Sequence, residues 1–142
     1  MSKEIVFVCA GNTCRSPMAE FILKEMRPDL KVRSAGIYAI RDSVMSSWTK
    51  KILLEQGISE KDLSRFRTTI LTKDDLKKNN IIYVMTEELL ETIKFNFRTE
   101  DVFLLGGGIP DPFGGNREEY ELARDKITEA LEEIFLKEEE TA

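Results

Sequence analysis

Histidine is absent from this 142-residue chain, and that one absence removes a wide set of mechanisms. Ser-His-Asp and Cys-His nucleophiles and histidine phosphorelays all need an imidazole. A conventional zinc site loses its commonest ligand as well, and two cysteines, Cys9 and Cys14, do not replace it, so no metal is expected. Two cysteines are also too few for the disulfide scaffold of a small secreted domain. Basic residues do not dominate either: the net charge is -5, which leaves no basic face from which a nucleic acid would release counterions. The longest apolar run, Ile5 to Ala10, is far short of a bilayer span, and Met1-Ser2-Lys3-Glu4 does not read as the start of a secretion signal. The expectation is a cytoplasmic monomer with no cofactor, no membrane partner and no nucleic-acid partner.

What is present, 42% hydrophobic and 33% charged residues over 142 positions, fits one domain spanning 1–142 with its own core. Ile5-Val6-Phe7-Val8-Cys9 is β-branched and apolar without alternation, the pattern of a parallel strand covered on both faces. Ser16-Pro17 reads as an N-cap and first helical position, followed by an apolar face of Met18, Phe21, Ile22 and Met26. A second strand is predicted at Val32 to Ala35, then a helix carrying Val44, Trp48 and Ile52 that closes at Gly57. Ile81 to Met85 predicts a third strand and Leu89, Leu90, Ile93 and Phe97 a helix from about Thr86. A fourth strand follows at Val102 to Leu105. Beyond the Gly106 to Gly115 loop, a long helix starts near Asn116 and Glu119 and carries Tyr120, Ala123, Ile127, Ala130, Leu131 and Ile134. The Glu138-Glu139-Glu140 run reads as a solvated end. The fold class is therefore α/β: a three-layer doubly wound sheet of four parallel strands with helices on both faces, binding ligands beyond the carboxyl ends of the strands.

That placement puts the chemistry in Cys9-Ala10-Gly11-Asn12-Thr13-Cys14-Arg15-Ser16-Pro17. A loop closing between a strand and a helix N-terminus points backbone N–H groups inward, so Ala10, Gly11, Asn12, Thr13, Cys14 and Arg15 are candidates to cradle an oxyanion. Gly11 supplies the tight turn, and Asn12 tolerates a left-handed conformation and ties the loop down. Arg15 clamps two oxygens with its planar fork. A cysteine among those amides, at a helix N-terminus and near a guanidinium, is set up to attack as a thiolate with no histidine base. Ser16 can donate to that sulfur. A leaving group then needs a proton, and Asp111, held between Pro110 and Pro112, is the carboxylate in the Gly106 to Gly115 loop. Each feature alone has an ordinary reading, since a strand-end cysteine is a small hydrophobe and Asp-Pro a turn dipeptide.

Together with Ser34-Ala35-Gly36 and Asp111-Pro112-Phe113, the Cys9 to Pro17 loop resembles the low-molecular-weight protein tyrosine phosphatase family over the whole chain. The resemblance implies a metal-free, two-step route through a phosphocysteine on Cys9. Arg15 is then the clamp, Asp111 the acid and later the base, and Asn12, Ser16 and Ser34 the loop supports. Cys14 matches a second loop cysteine that traps oxidised Cys9 as a reversible disulfide. Phosphorylated proteins are the implied substrates, with inorganic phosphate and vanadate as ligands. Thr13 departs from the usual bulky aliphatic residue and is similar to the bacterial protein arginine phosphatase branch, which slightly favours phosphoarginine over phosphotyrosine. Tyr38 and Phe113 are placed at the pocket mouth as further specificity residues. Two other classes stay open: an arsenate reductase with Cys14 as its relay, and a phosphocysteine carrier that does not hydrolyse.

Overall fold

The computed structural model describes residues 3–77, 80–97 and 101–136. The Glu138-Glu139-Glu140 run lies outside these. Strands β1 (Glu4–Cys9), β2 (Lys31–Gly36), β3 (Ile81–Val84) and β4 (Val102–Leu104) form one sheet in the order β2-β1-β3-β4. Every pairing is parallel, with Cys9 opposite Gly36 and Val8 opposite Val84. The chain therefore leaves β1 toward β2 and returns past it to β3, which places the switch point at the carboxyl ends of β1 and β3.

The unalternating apolar run of β1 is explained by burial on both sides. Ile5, Phe7 and Cys9 join one core cluster and Val6 and Val8 the other. Helices α1 (Arg15–Met26), α2 (Ser47–Glu55) and α6 (Arg117–Leu131) supply the first cluster; α5 (Glu87–Phe97) packs Leu89 and Ile93 into the second. Each such side chain, fully buried, contributes about 1.5–3 kcal/mol. No helix among the described residues is long and apolar enough to cross a membrane.

Several boundaries differ from the sequence expectations. Helix α1 begins at Arg15, and its N-cap is Cys14, which makes no side-chain cap bond. Ser16 is not the cap because its hydroxyl is engaged by the loop, and Pro17 falls in the first turn, where its missing N–H costs nothing. Helix α2 is capped by Ser46, which accepts from Thr49 N–H, so Val44 lies outside it, exposed. Gly57 closes that helix as expected, with φ 92°. Two short helices, α3 (Glu60–Arg65) and α4 (Lys73–Lys77), have too few turns to show a periodicity. Met85 falls just beyond β3, and Leu105 starts a 3-10 turn, Leu105–Gly107. Gly106, Gly107 and Gly108 all take positive φ there, a run that side-chain-bearing residues do not sustain. Asn116 caps α6 by accepting from Glu119 N–H, and the helix passes into a π turn over Glu132–Leu136 that holds Ile134.

The sheet meets the first loop at Gly36. A Cβ there would lie 2.7 Å from Ala10 O and 3.0 Å from Asn12 N. Gly36→Ala is expected to destabilise the protein by about 1–3 kcal/mol through overpacking, read as a lower urea midpoint at an unchanged slope.

Candidate active site

Cys9 ends β1 and its sulfur receives two donors. Asn12 N–H lies 3.2 Å from Sγ, and Ser16 Oγ lies 2.9 Å from it. The direction of the second bond follows from its neighbours. Thr69 N–H donates to Asn12 Oδ1 at 2.9 Å, and because a backbone N–H can only donate, the amide orientation is settled. Asn12 Nδ2 then gives its two hydrogens to Ser16 Oγ at 2.9 Å and Ser34 Oγ at 3.0 Å. Ser16, already an acceptor, keeps its own hydrogen for Cys9 Sγ. Asn12 itself is fully buried with φ 58°. The left-handed turn is thus made by Asn12 and not by Gly11, whose φ is ordinary and whose absent Cβ would meet only Thr13 Oγ1 at 3.7 Å.

Cys9, Ala10, Gly11, Thr13, Cys14, Arg15, Asp111 and Phe113 line one pocket of about 220 Å³. Arg15 is buried in its wall; Nη1 donates to Ile109 O at 2.9 Å and Nη2 lies 3.6 Å from Asp111 Oδ2. Its Nε, also buried, has no hydrogen-bond partner among the described residues. Ile109 N–H in turn donates to Met85 O, which ties this second loop to the end of β3. Asp111 is half exposed, and its Oδ1 accepts from Phe113 N–H at 3.0 Å, leaving Oδ2 turned toward Arg15. Phe113 is exposed at the mouth. Tyr38 is exposed and stands outside the pocket lining, attached through its N–H to Ala10 O at 2.9 Å.

The profile described as low molecular weight phosphotyrosine protein phosphatase matches residues 4–141. The chain belongs to that family. It is an enzyme, a cysteine-dependent protein phosphatase. Among its relatives, the low molecular weight protein-tyrosine-phosphatase PtpB of Staphylococcus aureus is 37% identical over 124 residues, 82% of this chain and 86% of that one. The YwlE arginine phosphatase from Geobacillus stearothermophilus is similar in structure, with a TM-score of 0.88 at 33% identity over 98% of this chain and 94% of its own. A cysteine-to-serine mutant of YwlE arginine phosphatase with a phosphorylated active site serine aligns with a TM-score of 0.83 at 31% identity, covering 90% of each chain. Both substrate classes thus occur among this family's relatives of the chain.

Residues outside the sequence reading complete the site. Thr69, which orients Asn12, lies in the irregular segment after α3, with no motif of its own. Cys14 Sγ lies 3.4 Å from Tyr120 Oη, 3.6 Å from Ser46 Oγ and 3.7 Å from Thr13 Oγ1. The helical spacing marks Tyr120 only as an apolar position of α6, and nothing in it says that the hydroxyl reaches the loop. Burial, then the Cys14 sulfur, push its phenol up to about 12. A raised phenol favours the folded state below the unfolded value of 10.0, and this contribution is lost as pH rises toward about 12. The stability of the protein should therefore fall more steeply across that window than that of Tyr120→Phe, as measured by urea unfolding at the two ends.

Proposed function

We propose that Cys9 attacks the phosphorus of a phosphorylated protein side chain, with Arg15 as the clamp and Asp111 as acid and then base. The observation that carries this reading is the buried, unpartnered Nε–H of Arg15 in the wall of the pocket that Cys9 lines. A buried donor without an acceptor costs about 1–3 kcal/mol, and an oxyanion bound over Cys9 removes that cost. Attack forms a phosphorus–sulfur bond as the bond to the leaving nitrogen or oxygen breaks. That atom takes the Asp111 proton. Water then attacks the phosphocysteine, the Asp111 carboxylate takes its proton, and the departing Cys9 sulfur receives the Ser16 hydroxyl and the Asn12 N–H. The phosphorylated serine of the related YwlE mutant supports such a covalent intermediate, because serine there retains the phosphoryl group. Inorganic phosphate and vanadate are the matching competitive ligands.

In Asp111→Asn the proton source is gone with little change of shape. Turnover should fall about 10²- to 10⁴-fold for leaving groups of high basicity and much less for good ones. Equal losses across an aryl phosphate series would assign Asp111 a structural role.

Thr13 lines the pocket, and its hydroxyl is the group we assign to the substrate choice, with phosphoarginine ahead of phosphotyrosine. Thr13→Ile keeps the β-branch and removes a hydrogen-bonding oxygen. Hydrolysis of a phosphoarginine peptide should drop about 10²- to 10³-fold, while kcat/KM for a phosphotyrosine peptide holds or rises. Parallel losses on both peptides would return phosphotyrosine to first place.

Cys14 is the partner we propose for oxidised Cys9, since both thiols are free and line one pocket. Forming that disulfide requires Cys14 to leave its three hydroxyl neighbours.

A further inference from the structure

We propose that Glu20, on α1 and outside the catalytic pocket, is a positioning residue for Cys9, acting through Ser34, Asn12 and Ser16. The inference rests on the reading of Cys9 as the nucleophile. Glu20 is buried, and both of its oxygens are engaged: Ser34 Oγ lies 2.6 Å from Oε1 and Lys24 Nζ 2.6 Å from Oε2. It lines a separate cleft of about 860 Å³ that Lys24, Ser34 and Thr69 share and that contains neither Cys9 nor Arg15.

A carboxylate paired with an ammonium has no hydrogen to give, so Ser34 must direct its own hydrogen at Glu20. Its oxygen is then available only as an acceptor, which is what one hydrogen of Asn12 Nδ2 requires. The other hydrogen of that amide goes to Ser16, and Ser16 is left with a single place for its own, Cys9 Sγ. Every bond in the series has one direction, and the carboxylate is the group that imposes it at this end, as Thr69 N–H does at the other. With no acceptor at position 20, Ser34 becomes a free rotor that turns its hydrogen toward the Asn12 amide and competes for the space of Nδ2. The amide then tilts and Ser16 loses its fixed orientation. In a buried network such bonds reinforce one another, so a change at the far end reaches the sulfur.

Lys24 completes the device from the surface. It lies one turn beyond Glu20 on the same helix, where its ammonium occupies Oε2 while staying partly in water. The catalytic pocket receives no atom of this pair, and the effect belongs to orientation alone.

The test uses the full chain and the alkylation of Cys9 by iodoacetamide as a function of pH, followed by mass spectrometry at the Cys9 peptide without any substrate. In Glu20→Met the midpoint of that profile should move to higher pH, and kcat for an aryl phosphate should fall about tenfold, one hydrogen bond's worth. Inhibition by inorganic phosphate should change less than twofold, because the loop amides and Arg15 are untouched. Glu20→Gln retains an acceptor for Ser34 and should recover most of the activity and the original profile. Ser34→Ala should shift the profile as Glu20→Met does, and the double variant should be no worse than Ser34→Ala alone. Arg15, Asp111 and Cys14, the other ionisable groups lining the Cys9 pocket, are the same in all of these proteins. An unmoved alkylation profile in Glu20→Met, or additive losses in the double variant, would overturn the proposal. Should Glu20→Met not fold, Glu20→Asp keeps the charge but draws it back from Ser34, and it must move the same profile or the idea fails. Retained turnover in Cys9→Ser would instead sink the phosphatase assignment of Cys9 while leaving the alkylation result standing.

Discussion

The side-chain amide of Asn12 is the constraint on which the site depends. Its backbone is left-handed, a conformation that costs a residue with a Cβ roughly 1–2 kcal/mol. Three hydrogen bonds through its side chain, to Ser16, Ser34 and from Thr69, each contribute about 1 kcal/mol and offset that strain. Those partners come from α1, from β2 and from the segment after α3. One amide therefore joins three parts of the chain directly beneath the loop. Gly36 lets β2 come close enough for this, since any side chain there would meet Ala10 and Asn12.

The second loop is held by a different logic. Positive φ at Gly106, Gly107 and Gly108 turns it back over the sheet end, and the bonds from Ile109 N–H to Met85 O and from the Arg15 guanidinium to Ile109 O fasten it to β3 and α1. Arg15 thus joins both loops. Asp111 stands outside that frame, half exposed and at a loose 3.6 Å from the guanidinium. A pair of that length with one partner half in water is worth little. The arrangement separates a rigid, buried cation from a carboxylate that meets water, which suits a group proposed to give up and take back a proton.

Much of the fold was legible in local patterns. The strands β1 and β3 announced themselves by unbroken apolar runs, and Gly57 and Asn116 marked helix ends by chemistry that acts within a few residues. Where local rules erred, a long-range bond had taken over a residue. Ser16 is a good cap by type, but its hydroxyl is engaged by Asn12 and Cys9, so the helix starts at Arg15 without a side-chain cap. Gly11 is the permissive residue by type, yet Asn12 carries the turn because its amide finds buried partners there. Helices α3 and α4 are too short for periodicity to distinguish them from loop.

The sequence by itself determined the α/β class, the strand-loop-helix context of Cys9 and Arg15, and the prolines that stiffen the Asp111 loop, because each depends on neighbours within a turn or two of chain. Only the tertiary structure decided that Asp111 faces Arg15, that Thr69 orients Asn12, that Tyr120 touches Cys14 and that Glu20 holds Ser34. Those pairs come from different elements brought together by the sheet, and a hydroxyl or amide carries no sign in its own segment of which distant donor or acceptor will reach it. Hydrogen-bond direction is a property of the closed network, set by the groups at its ends that can only give or only accept, and so it exists only once the chain has folded.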